Sequence, residues 1–71
     1  YRIENRPDGS LLVSGKRIEQ FTVMTNFNNA SAVQRFKNVL DRIGLRKALL
    51  KLRESNETPI SIGHVRVEEF L

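Results

Sequence analysis

A chain of 71 residues holds one domain at most, and a domain this small buries only about 60% of its unfolded surface. The absence of cysteine excludes disulfides and thiolate metal sites, and favours a reducing, intracellular home. Twelve Lys and Arg against eight Asp and Glu give a net charge of +4 and a pI near 10.1, a balance that suits polyanions such as RNA and equally suits plain solubility.

No apolar run approaches the roughly 18 residues of a membrane span, and no signal-peptide pattern opens the chain. It begins at Tyr1 without methionine, which reads as a domain cut from a longer protein. From Tyr1 to Arg6, Tyr1 and Ile3 alternate with Arg2, Glu4 and Arg6, the period of a half-buried strand. Pro7-Asp8-Gly9 is turn chemistry, and Ser10 to Ser14 then reads as a second strand paired antiparallel with the first. Gly15 breaks it. Lys16 to Met24 predicts a short helix with Ile18, Phe21 and Met24 inward, and Asn26 as a left-handed cap.

The strongest signal is the next one. Ala32, Val33, Phe36, Val39, Leu40 and Ile43 recur at the three-and-four spacing of a helix over about 29 to 43. Such a helix is about 22 Å long at 1.5 Å per residue. Asn28 or Asn29 supplies its N-cap, and Gly44 a left-handed stop. Leu45 to Arg53 predicts a third, shorter helix with Leu45, Ala48, Leu49 and Leu52 on one side. Ser55 to Pro59 forms a loop. Ile60 to Ile62 and Val65 to Val67 are short strands joined at Gly63-His64, which suits a type II′ turn. Phe70 falls on the wrong parity, so a bulge or the strand's end is expected near Glu69. The order strand-strand, helix-helix-helix, strand-strand argues for α+β. The expected fold is a sheet of about four mostly antiparallel strands, one hairpin from each chain end, covered on one face by three helices.

Catalytic patterns are thin. Ser14-Gly15-Lys16 looks like the tail of a P-loop, but Ser10 stands where the motif needs glycine and Arg17 where it needs Ser or Thr. His64, the one histidine, has no nucleophile or orienting partner nearby in sequence and reads as a hairpin-tip residue. Glu68 and Glu69 point to opposite faces if in a strand, so they read as solvating charge. Asn29-Ala30-Ser31 and Asn56-Glu57-Thr58 match the glycosylation acceptor pattern, which is frequent by chance.

Basic residues form two groups. Arg42, Arg46, Lys47, Lys51 and Arg53 crowd the end of the long helix and the third one. A helix dipole accounts for cations at Arg42 and Arg53, and Lys51 with Glu54 reads as a surface pair. Lys16 and Arg17 open the first helix, where the dipole opposes positive charge. Candidate partner contacts are therefore Lys16, Arg17, Arg46, Lys47, Lys51 and Arg53, facing RNA phosphates or an acidic protein patch. With five aromatic residues, most of them core-like, base stacking on single strands is disfavoured.

A set of motifs resembles one known family. Val13-Ser14-Gly15, Ile18-Glu19, Met24-Thr25-Asn26-Phe27, Ala32-Val33, Arg35-Phe36, Ile43-Gly44-Leu45, Ala48-Leu49 and Ile62-Gly63 look like the carboxy-terminal (OCT) domain of the Obg, or CgtA, ribosome-associated GTPases. The likeness runs from about Gly9 to Phe70. It departs between Leu52 and Pro59, where family members often carry an Ala-Gly-x-x-Gly-Asp-like turn. The resemblance implies a parent with a glycine-rich amino-terminal domain, a central GTPase domain and this tail. GTP and magnesium would bind the central domain, with no cofactor in this fragment. It also implies a cytoplasmic, non-catalytic regulatory domain acting in large ribosomal subunit assembly and in stress and growth control. The expected partners are the large subunit, through its RNA or a protein, or the GTPase domain of the same chain. A stand-alone basic RNA-binding module and an intramolecular spacer are the competing readings.

Overall fold

The computed structural model describes residues 1–71. Two strands, β1 (Arg2–Asn5) and β2 (Leu11–Ser14), precede helices α1 (Lys16–Met24), α2 (Ala30–Arg42) and α3 (Leu45–Leu52). Strands β3 (Ile60–Ile62) and β4 (Val65–Arg66) follow, and a 3₁₀ turn at Glu68–Phe70 closes the chain. The expected α+β architecture holds.

The sheet order is β1-β2-β3-β4. Both hairpins are antiparallel as expected, but β2 and β3 join them in parallel, with Leu11 opposite Ile60 and Val13 opposite Ile62. Three helices intervene between those two strands, the long crossover that parallel pairing requires. The sheet is therefore mixed. Alternation then decides what is buried: Leu11, Val13, Ile60 and Ile62 face the helices at 2% exposure or less. Edge strands β1 and β4 are short and carry Arg2, Glu4 and Arg66, which discourages pairing with other chains.

Helix α2 meets that face through Phe36 and Leu40, and α3 through Leu45 and Leu49, all fully buried. Asn29 is the N-cap: its side-chain oxygen accepts the backbone N–H of Ala32 at 3.1 Å. Gly44 ends the helix at φ +79°, and a side chain there would meet open space, so its backbone angle alone calls for glycine. All four phenylalanines of the chain join one cluster. Phe36 stacks on Phe21 at 5.9 Å and takes Phe27 edge-on at 5.1 Å, while Phe27 stacks on Phe70 at 4.6 Å. The final turn makes this possible. Strand β4 ends at Arg66, earlier than expected, and the 3₁₀ turn swings Phe70 back towards the core.

Four expectations are corrected. Met24 is 76% exposed, because the α1 positions facing inward are Ile18, Phe21 and, one turn above Ile18, Thr22. Buried Thr22 satisfies its hydroxyl by donating to the Ile18 carbonyl at 2.7 Å. Asn26 is not left-handed; its side-chain oxygen accepts the Asn28 N–H at 3.0 Å and turns the chain that way. Ile43 is the C-cap of α2 and lies 43% exposed, since the backbone leaves the helix there. Leu52, the last residue of α3, is 45% exposed for the same reason.

The segment departing from the family pattern is organised by Thr58, a buried residue whose hydroxyl oxygen accepts the N–H groups of Glu54 and Ser55, each at 3.1 Å. At the second hairpin Gly63 has φ +61° and His64 stays negative, as a type II′ turn demands. A side chain at Gly63 would also lie 2.7 Å from the Glu19 carboxylate.

Glu68 does more than solvate. Its carboxylate accepts Arg66 Nε–H at 3.1 Å and Arg66 Nη2–H, and also the backbone N–H of Ile60 at 3.0 Å. The Arg66 bonds, then the Ile60 N–H, hold its pKa below the ordinary carboxylate value against the opposing effect of burial. A depressed carboxylate stabilises the fold above its unfolded pKa of about 4.3, and that contribution disappears as pH falls through the folded value. Glu68→Gln should therefore lower the urea midpoint at pH 7, and the gap from the parent should close on acidification below about pH 4. A gap independent of pH would contradict this role.

Candidate functional site

The six candidate cations do not form one patch. Arg46 is engaged in the fold: it lies 3.4 Å from the Asp41 carboxylate and donates to the Leu71 carbonyl at 2.8 Å. Through these contacts the guanidinium ties α3 to Asp41 and Leu71, while its buried Nε makes no hydrogen bond. Arg53 is half-buried at the C-cap of α3. Lys47 and Lys51 are exposed on α3 with no carboxylate within 4.0 Å, and the expected Lys51–Glu54 pair is not formed.

The local fold disfavours the charge at Lys47 and is mixed at Lys51. Lys47 sits in the first turn of α3, where the dipole opposes a cation and no acidic residue compensates. Lys51 lies one turn further along the same stripe, and like charges four apart destabilise a helix by a few tenths of a kcal/mol. Only the dipole at the helix end favours Lys51.

Lys16 and Arg17 occupy the first turn of α1, also exposed and without an ion pair. They rim a groove of about 470 Å³ floored by Ile18, Phe21 and Val39 and flanked by Tyr1 and Ile43. Across Val39 a second depression of about 540 Å³ lies along the outside of α2, lined by Arg35 and Arg42 with Ser31, Gln34 and Asn38. No acidic residue lines either one. Sequence reasoning left Arg35 and Arg42 out of the candidate set. Their spacing of seven, two helical turns on one stripe, is the signal that finds them.

The nearest acid on α1 is turned elsewhere. Glu19 reaches back to accept the Gly15 N–H at 2.9 Å and rests against Gly63. That carboxylate fills the place where a phosphate would meet the Ser14-Gly15-Lys16 turn, so these residues do not fit a nucleotide. No group of three His, Cys, Asp or Glu side chains is placed to hold a metal ion. His64 is exposed at the tip of the second hairpin. No helix is long and apolar enough to cross a membrane.

Comparison with known proteins adds a family. The family described as "Domain of unknown function (DUF1967)" matches residues 1–68. The chain is 47% identical over 67 residues to GTPase Obg of Syntrophomonas wolfei, covering 93% of this chain and 15% of that protein. It is 41% identical over 51 residues to GTPase Obg of Elusimicrobium minutum, covering 72% of this chain and 11% of that one. GTPase Obg of Listeria monocytogenes is 37% identical over 51 residues, 72% of this chain and 12% of its own length. The chain thus spans about 11 to 15% of the length of these relatives. No solved structure matches it at comparable stringency.

Proposed function

Because the chain belongs to the DUF1967 family, the carboxy-terminal domain of Obg GTPases, we propose that it is a non-catalytic interaction and regulatory domain of an Obg-type GTP-binding protein. The parent works in the cytoplasm, in large ribosomal subunit assembly and in stress and growth control. GTP and magnesium bind its central domain, and this domain meets the large subunit.

One observation carries the reading: Lys47 and Lys51 are exposed cations whose charge the fold does not neutralise. RNA phosphates on the subunit are what such charges suit. The test is association of the full-length protein with purified large subunits across a range of salt, with and without this domain. If the domain contributes about five phosphate contacts, deleting it should remove a log-log salt slope of about −4. An unchanged slope after deletion sinks the electrostatic contact. A spacer role predicts instead that deletion alters nucleotide exchange with no ribosomes present.

A further inference from the structure

We infer that the groove between α1 and α2 is a docking site for an acidic amphipathic helix of a protein partner. Its floor is apolar through Ile18, Phe21 and Val39, and exposed Ile43 continues that surface to the outside. Ile43 belongs by periodicity to the core stripe, yet the turn at Gly44 carries it out of the core and onto the groove's edge. Single exposed apolar residues are ordinary, but here one extends an apolar cleft.

Charge selects the occupant. Lys16 and Arg17 flank the groove on one side, and Arg42 lies beyond Val39 on the other, with no acid between them. A helix presenting leucines along one stripe and carboxylates on both flanks satisfies floor and rims together. RNA does not. Its bases need open aromatic faces; Phe21 is stacked on Phe36, and Tyr1 alone is exposed. Phosphates would leave Ile43 and the floor in water.

The inference deepens the reading of the chain as an interaction domain by naming a protein partner for this face, separate from the cations of α3. The probe is a synthetic helical peptide with leucines at helical spacing and glutamates on both flanks, titrated into the isotope-labelled chain and followed by NMR. Saturable shifts at Gly15, Ile18 and Ile43 are expected, with a Kd on the order of 100 μM. Ile43→Glu and Arg17→Glu should each weaken the peptide about tenfold or more while the spectrum stays dispersed, with Tm rising slightly for Arg17→Glu because the α1 dipole favours an anion there. Absence of saturable shifts up to about 1 mM overturns the proposal. So does equal binding of a serine-for-leucine peptide, tighter occupation by an RNA oligonucleotide, or shifts that depend only on protein concentration and mark self-association. Large-subunit association measured on Ile43→Glu separates the two ideas. If it is retained while the peptide is lost, both stand; if the peptide never binds but the subunit does, only the groove assignment falls.

Discussion

Phe36→Ala should lower the unfolding free energy by about 3–5 kcal/mol and bring the urea midpoint down sharply. Removing a buried phenylalanine ring costs about 3–5 kcal/mol, and the void here is hard to close. Phe36 is fully buried between Phe21 and Phe27, and Phe27 in turn carries Phe70 from the closing turn. A natural domain of 71 residues has between about 4 and 11 kcal/mol of total stability, so the loss consumes much or all of it. Urea unfolding followed by circular dichroism reads the effect directly. Ile43→Ala is the matched control: the same helix stripe by periodicity, but exposed, and expected to change stability by about 0.5 kcal/mol or less. Equal losses at the two positions would mean that the burial described for α2 is wrong.

That contrast also marks what the sequence made legible. The inner run of the α2 stripe, Phe36 and Leu40, was readable because three-and-four spacing has one physical solution when a sheet must be covered. The hairpin turns were readable from Pro7-Asp8-Gly9 and Gly63-His64. Stripe ends were not. Met24, Ile43 and Leu52 each sit at a helix terminus, where the backbone changes direction and spacing no longer fixes which way a side chain points. The parallel pairing of β2 with β3 was invisible too, since it joins segments with three helices between them and leaves no local pattern. Thr58 and Thr22 illustrate a further limit: both are buried because the backbone gives their hydroxyls partners, which hydropathy does not record.

For the candidate surface, the sequence located cations and could not say which were free. Distances sort them. Arg46 is spent on Asp41 and the Leu71 carbonyl, and Arg66 on Glu68, whereas Lys47, Lys51, Lys16 and Arg17 have no acidic partner. The Obg likeness named a family but not a face. Arg35 and Arg42, seven apart on one stripe of α2, line the depression that adjoins the groove at Val39.

The second large effect is expected at α3. Lys47→Gln with Lys51→Gln should weaken large-subunit association at low salt by roughly an order of magnitude, because each removed phosphate contact lowers the log-log salt slope by about one. Stability should stay about level, since losing the like-charge pair and the dipole-opposed Lys47 offsets losing Lys51, which the dipole favours. Arg66→Gln, by contrast, removes a cation already bound to Glu68, so it should lower stability and leave the salt slope alone. The decisive measurement is therefore the salt slope of large-subunit binding for the full-length protein carrying each change. A slope shallower by about 2 with the lysine pair and no change with Arg66→Gln is the expected result. An unchanged slope with the lysine pair, or an equal fall in both, would contradict the claim that unpaired charge on α3 is what meets the partner.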